Sequence, residues 1–223
     1  CSSDLVLACQ PLERAIAAGA VHAGRFTIPE ANIQPASLDL RLGEVAYRIR
    51  CSFLPGTRTV ADRLAELVID ELDLRGDGVV LEPKRPYLIP LKEGLALPQG
   101  LRAKANPKSS TGRIDVFTRV ITDGSYRFDE IADGYHGPLF LEVVPLSFPV
   151  RVREDLTLNQ LRLSVGRDVL TDEAVRDFHT AQPLVFAGDA PVPPERLALA
   201  DGLFLGLDLR GDAEGRVGHR ARD

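Results

Sequence analysis

The chain has 223 residues, 44% apolar and 26% charged, and 27 Lys and Arg against 32 Asp and Glu leave a net charge of −5. This balance excludes a uniform basic footprint for nucleic acid, and no run approaches the roughly 18 apolar residues that a membrane-spanning helix needs. Three cysteines, Cys1, Cys9 and Cys51, are too few for a disulfide framework, so a reducing cytoplasm is the expected setting. Residues 1–10 place no basic segment ahead of an apolar one, so no secretory signal is expected.

In chain order, the first predicted element is a short helix over residues 11–20, with Pro11 in its first turn and Gly19 near its end. Strand patterning follows over residues 38–49. Thr59 and Asp62 fit a capping box, and Val60, Leu64, Leu67 and Val68 recur at helical spacing, which predicts a second, amphipathic helix. Runs rich in Val, Ile, Leu and Phe then predict strands over 79–81, 87–91, 101–105, 114–121, 139–152 and 156–165. Turn residues such as Pro55-Gly56, Pro98-Gln99-Gly100 and Asp123-Gly124-Ser125 punctuate the pattern. A last helix is predicted over residues 171–179, with Thr171 as its cap and Asp172 and Glu173 in the first turn. Many short strands without regular strand–helix alternation indicate a mostly antiparallel barrel or sandwich with helices as decoration.

Residues 183–194 crowd Gly188, Pro191, Pro193 and Pro194 together and read as a linker. Beyond it Leu207-Asp208-Leu209-Arg210 repeats Leu38-Asp39-Leu40-Arg41. The expected organisation is one β domain over 1–182, the linker over 183–194, and the start of a truncated second copy over 195–223. No methionine occurs, and with the shortened repeat the sequence reads as part of a longer protein.

Three segments carry chemistry. Residues 102–113 hold Arg102, Lys104, Lys108 and Arg113, with no acid between Glu93 and Asp115. Lys108, Ser109, Ser110 and Gly112 fit a turn that cradles a polyphosphate; the alternative is a solvated basic loop. Glu142 interrupts an apolar strand and shares a face with Phe140 and Val144. If that face is covered, the carboxylate is desolvated and suited to proton shuttling; if it meets solvent, Glu142 is an ordinary surface residue. In the third segment Ser37, Asp39 and Arg41 share one strand face with Leu38 and Leu40 on the other, the pattern of a half-buried strand or a subunit contact. The four histidines lie far apart and no Cys-x-x-Cys occurs, so no zinc or other resident metal site is expected. Loops of the Gly-x-x-x-x-Gly-Lys and Gly-x-Gly-x-x-Gly types are absent as well.

In this order the segments resemble the deoxycytidine triphosphate (dCTP) deaminase and deoxyuridine triphosphatase (dUTPase) superfamily. Residues 34–43 resemble its first motif, Lys108-Ser-Ser-Thr-Gly-Arg113 its phosphate-binding motif, residues 134–142 its substrate strand and Leu158-Asn-Gln-Leu161 the motif after it. The repeat further resembles a longer, internally duplicated variety of these deaminases. The resemblance implies an all-β fold, the β-clip or distorted jelly-roll of dUTPases, with a few short peripheral helices. It also implies a homotrimer or pseudo-symmetric assembly with sites at subunit interfaces, and no nucleic-acid or membrane partner. Zinc-independent hydrolysis of dCTP to dUTP and ammonia is the implied reaction, with Mg²⁺ carried by the triphosphate.

By the same resemblance, Glu142 is the proton shuttle, and Ser109 and Arg113 hold the water and the developing charge. Nucleotide contacts are expected from Lys108, Ser110, Thr111, Gly112, Asp129, Asp133, Tyr135, Phe140, Leu141 and Gln160. Ala132 stands where the family usually has Asp, so Asp129 and Asp133 are rivals for the sugar. Lys108 replaces a frequent Arg and gives up its bidentate geometry. Alternatives are a dUTPase, a bifunctional enzyme forming the monophosphate, and a non-catalytic nucleotide-binding regulatory homologue.

Overall fold

Two antiparallel sheets, each a run of five strands with one further short strand paired off it, form the body of the protein. The computed structural model describes residues 5–166, 170–199, 203–205, 209–211 and 213–218. Contacts divide the described residues into two compact units, the first over residues 5–166 and the second within residues 170–218.

In the first sheet of the first unit, Leu101–Pro107 and Ser37–Arg41 flank Thr157–Val165, and the short strands Glu130–Ile131 and Ile33–Gln34 lie at the two ends. The second sheet runs Val116–Thr122, His136–Pro145, Tyr87–Ala96, Val45–Ile49, Val68–Asp73. Alternate residues from both, among them Leu38, Leu40, Leu161, Leu163, Ile89, Leu139, Leu141 and Val143, fill the main core. The all-β class predicted from strand patterning is the observed one.

The predicted strand over 38–49 is in fact two strands in different sheets. The chain turns at Gly43, whose N–H donates to the Pro90 carbonyl at 2.8 Å. A Cβ there would lie 2.5 Å from that oxygen, so only glycine allows the crossing. The capping box is present: Thr59 Oγ1 accepts from the Asp62 N–H at 3.1 Å and Asp62 Oδ2 from the Thr59 N–H at 3.4 Å. The helix it starts, Val60–Leu67, stops before Val68, and Val68-Ile69 opens the strand Val68–Asp73, where β-branched side chains fit better. Likewise, the expected strand over 139–152 breaks after Pro145 and resumes as Val150–Val152.

The segment between Val45–Ile49 and Val68–Asp73 positions part of the site. It lays Phe53, Val60, Leu64 and Leu67 over the outer face of the second sheet, against Ile49, Leu88, Ile121 and Phe140. This small second core covers the face that carries Glu142.

Ser37–Arg41 departs from the half-buried pattern, since all five residues are buried. Its polar face is covered by partners of opposite charge. Arg41 donates from Nε to Glu93 Oε1 and from its backbone N–H to Oε2, both at 2.7 Å, and Asp39 takes Lys108.

In the second unit, Asp172–Ala181 is a helix capped by Thr171, whose Oγ1 accepts from the Ala174 N–H at 3.2 Å. The proline-rich stretch read as a linker contains a two-strand ribbon, Phe186–Ala187 with Ala190–Pro191. His179 ties it to the helix. Its Nδ1 accepts from the Leu184 N–H at 2.9 Å, so Nε2 carries the proton toward the Val192 carbonyl at 2.7 Å. Leu207 and Asp208 of the repeat lie outside the described residues. Among the described residues no helix is long and apolar enough to cross a membrane.

Candidate functional site

Two groups of polar residues stand out, one on each sheet. The first gathers where Leu101–Pro107 ends. Lys108 donates its N–H to the Leu158 carbonyl at 3.0 Å, and the chain enters a single helical turn, Ser109–Arg113. The Thr111 and Gly112 amides donate back to the Lys108 carbonyl at 3.0 and 3.2 Å, and those of Ser109 and Ser110 stand at the open start of the turn.

A cleft of 490 Å³ opens there, lined by Gln34, Ser37, Asp39, Lys108, Ser109, Ser110 and Gln160 among others. The Lys108 ammonium is held by the Asp39 carboxylate and by Thr157 Oγ1 at 3.0 Å. Ser37 donates to Gln160 Oε1 at 3.0 Å, which leaves the amide nitrogen of Gln160 as a donor for a ligand. Cation, hydroxyls and amide together form a set suited to phosphate oxygens. Ser110 and Ser109 are exposed. Thr111 turns inward, 2% exposed, and donates to the Leu158 carbonyl at 2.9 Å. A Cβ on Gly112 would meet open space. Asp39 already holds Lys108, so this set offers a divalent cation little beyond what it receives from phosphate.

The second group surrounds Glu142. On His136–Pro145 it lies opposite Arg119 on one side and Leu88 on the other. Phe140 shares its face and packs in the second core, whereas Leu141 points into the main core. Glu142 is 1% exposed. Its oxygens are both engaged: Arg119 Nη2 donates to Oε1 at 3.1 Å and Ser52 Oγ to Oε2 at 2.6 Å. Arg119 Nη2 also donates to Ser52 Oγ at 2.6 Å. The guanidinium carbon sits 3.6 Å from the Phe128 ring centre and 5.1 Å from that of Phe117, which fixes it by cation–π contact.

Sequence reasoning missed both partners. Arg119 shares a strand face with Phe117 and Ile121, a weak signal, and only the register sets it against Glu142. Ser52 lies in a loop and gave no signal.

Beyond this group, Asp129 adopts φ 63° and bridges two strands. Its Oδ1 accepts from the Val120 N–H at 2.7 Å, and its carbonyl accepts from the Ala105 N–H at 2.8 Å. Burial pushes its carboxyl above the usual value, against the Val120 N–H and the charges of Arg119 and Lys104. Asp133 is exposed, and its Oδ1 accepts from the Gly100 N–H at 2.6 Å. Burial pushes the Tyr135 hydroxyl up to about 12. It donates to the Pro138 carbonyl at 2.8 Å and accepts from the Asp123 N–H at 3.3 Å.

The raised Asp129 carboxyl has a testable sign. A folded pKa above the unfolded value of about 3.9 means that ionisation costs stability at neutral pH, and that the cost is relieved as pH falls through the folded pKa. Asn tolerates the same left-handed backbone and does not titrate. Urea midpoints of Asp129→Asn and the parent at pH 7 and pH 4 are expected to show the variant gaining relative to the parent at pH 7, with the gain shrinking toward pH 4. A gain that grows on acidification contradicts this account.

The structure thus brings Lys108, Ser109, Ser110 and Gln160 to one cleft and Phe140 and Glu142 to one strand face. Among the described residues, no hydrogen bond or ion pair joins Glu142 to Ser109 or Arg113. Among the same residues, no three His, Cys, Asp or Glu side chains converge on a point that would hold a metal ion.

The family model of the 2′-deoxycytidine 5′-triphosphate deaminase N-terminal domain matches residues 3–167. A Natronomonas pharaonis protein named dCTP deaminase is 30% identical over 136 residues, 60% of this chain and 66% of its own. A Methanothermobacter thermautotrophicus protein named dCTP deaminase, dUMP-forming, is 28% identical over 138 residues, 62% of this chain and 67% of its own. The crystal structure of 2′-deoxycytidine 5′-triphosphate deaminase from Agrobacterium tumefaciens superposes with a TM-score of 0.78 at 41% identity, over 96% of this chain and 61% of that one. The chain therefore spans about two thirds of the length of these relatives.

Proposed function

The chain belongs to the 2′-deoxycytidine 5′-triphosphate deaminase N-terminal domain family, and from that premise we propose that it serves the hydrolytic deamination of dCTP to dUTP and ammonia. The observation that carries this reading is Glu142: a carboxylate 1% exposed on an otherwise apolar strand face, held against a guanidinium. A carboxylate is rarely buried to this extent, and a site that uses its charge is one reason for a chain to keep it there.

In the proposed reaction Glu142 accepts a proton from water as the oxygen attacks C4 of cytosine. It delivers that proton to the ring nitrogen N3, then takes the second proton from the new C4 hydroxyl and passes it to the amino group; the C4–N4 bond breaks to release ammonia and the C4 carbonyl forms. Ser109 and Arg113 hold the water and the charge that develops on the ring. Lys108, Ser110 and Gln160 grip the triphosphate, with Asp39 and Ser37 orienting Lys108 and Gln160. Mg²⁺ arrives on the triphosphate, since it prefers phosphate oxygens and water. A carboxylate doing the proton work makes zinc unnecessary in this scheme.

The proposed assembly is a homotrimer in which Ser109 and Arg113 of one copy meet Glu142 of the next. Its support is that, among the described residues, no hydrogen bond or ion pair joins Glu142 to Ser109 or Arg113, together with the exposed apolar Ile114 beside Arg113 and the exposed Phe117 and Leu146.

The test is to incubate the protein with dCTP and Mg²⁺ and to resolve the nucleotides by chromatography. dUTP with ammonia supports the reading. Release of dUMP and diphosphate supports a bifunctional enzyme, which the dUMP-forming names of some relatives favour as a second reading. Bound nucleotide without any product overturns both and leaves a regulatory module.

A further inference from the structure

The proposed general base is shut. Arg119 holds Oε1 of Glu142 and Ser52 holds Oε2, and the side chain has almost no contact with solvent. A carboxylate that takes a proton from water and passes it to a pyrimidine needs one oxygen within hydrogen-bond reach of them. The Arg119 contact is compatible with that role, since it leaves Oε2 for the substrate. The Ser52 contact is not, because its hydroxyl stands 2.6 Å from that oxygen.

Ser52 also copies the chemistry it would yield to. Its hydroxyl donates to the carboxylate and accepts from the guanidinium. The edge of cytosine offers the same pair, a donor on the amino group and an acceptor on the adjacent ring nitrogen.

The surrounding chain permits the exchange. Cys51 and Ser52 are both exposed. On their N-terminal side the Arg50 N–H donates to the Leu67 carbonyl at 3.0 Å. On their C-terminal side Phe53 and Pro55 are buried, and the Gly56 N–H donates to the Ser125 carbonyl at 3.1 Å. Two exposed residues therefore lie between anchored flanks, and the contacts of Ser52 with Glu142 and Arg119 are the hydrogen bonds that hold its side chain over the site.

From this we propose that Ser52 is a latch: it occupies the pyrimidine's place at Glu142 in the empty protein, and cytosine binding displaces it. The inference rests on the deaminase reading of the site. A latch imposes a fixed loss on substrate affinity, because only the unlatched fraction binds. Water takes the place of the lost hydroxyl at the two charges, so removing this hydrogen bond should recover the about three- to tenfold in affinity of an ordinary net hydrogen bond.

The experiment pairs Ser52→Ala kinetics with amide hydrogen exchange on the intact protein. Ser52→Ala is expected to lower the KM for dCTP and the Kd for dUTP by about three- to tenfold, with kcat held within about twofold. Saturating the parent with dUTP is expected to speed exchange across residues 50–58, and the variant is expected to show that faster exchange without nucleotide. A large fall in kcat at unchanged KM overturns the latch and makes Ser52 part of the machinery. So does a parent that deaminates while exchange over residues 50–58 stays unchanged on dUTP saturation. A parent that binds neither dCTP nor dUTP brings down the deaminase reading itself, and the latch with it.

Discussion

Replacing Glu142 by Gln is expected to lower the deamination rate by roughly 10²–10⁴-fold, the range that a positioned general acid–base group supplies. Gln keeps the size of the side chain and can still accept from Arg119, so the strand and its second-core packing persist. It cannot shuttle a proton. Binding of dUTP, measured by calorimetry, is expected to stay within severalfold of the parent, because the Lys108 cleft is untouched. The pair Glu142–Arg119 also contributes to folding. Arg119 is 24% exposed and stacked on Phe128, so it can turn to solvent when its partner loses charge, and the cost stays below the several kcal/mol of a fully buried broken pair. A thermal melt separates this modest loss from unfolding. Retention of most of the activity in a folded Glu142→Gln protein would remove the proton shuttle from the mechanism.

Mixing two inactive variants is expected to restore activity. Glu142→Gln lacks the base and keeps Arg113; Arg113→Ala lacks the cation and keeps Glu142. If each site is shared between neighbouring copies, random reassembly of the two chains gives both native halves in about one site in four, so about a quarter of parental activity should return. Neither variant alone recovers anything by the same treatment. Exchange of tagged parental chains, followed by affinity capture, verifies that subunits mix. An inactive mixture of demonstrably exchanged chains places Glu142 and Arg113 of one chain in one site and overturns the shared-site proposal.

Much of the architecture was legible because it is written in short-range pattern. Alternation of apolar and polar residues, broken by Gly, Pro and Asp turns, indicates β structure wherever it occurs, since side chains alternate across a strand. The capping box at Thr59 and the cap at Thr171 were equally visible, because each cap oxygen and the N–H that donates to it lie three residues apart. Glu142 could be singled out because a charge within an apolar strand is conspicuous in one dimension. The phosphate-cleft residues Lys108, Ser109 and Ser110 are contiguous, and their grouping needed no fold.

What the sequence determined by itself was therefore the all-β class, the approximate place of most longer strands and helices, several of their caps and turns, and the isolated carboxylate. Tertiary structure alone decided what that carboxylate meets. Ser52 and Glu142 are 90 positions apart, Arg119 and Glu142 are 23 apart, and Asp39 and Lys108 are 69 apart. Contacts over such spans depend on strand register and on the path of loops. A slip of one residue between Val116–Thr122 and His136–Pro145 would move Arg119 to the opposite face from Glu142. The same holds for the polar face of Ser37–Arg41, which alternation alone leaves toward solvent and which Glu93 and Lys108 in fact cover. Periodicity states which residues share a face; only the packed chain states what lies across from it.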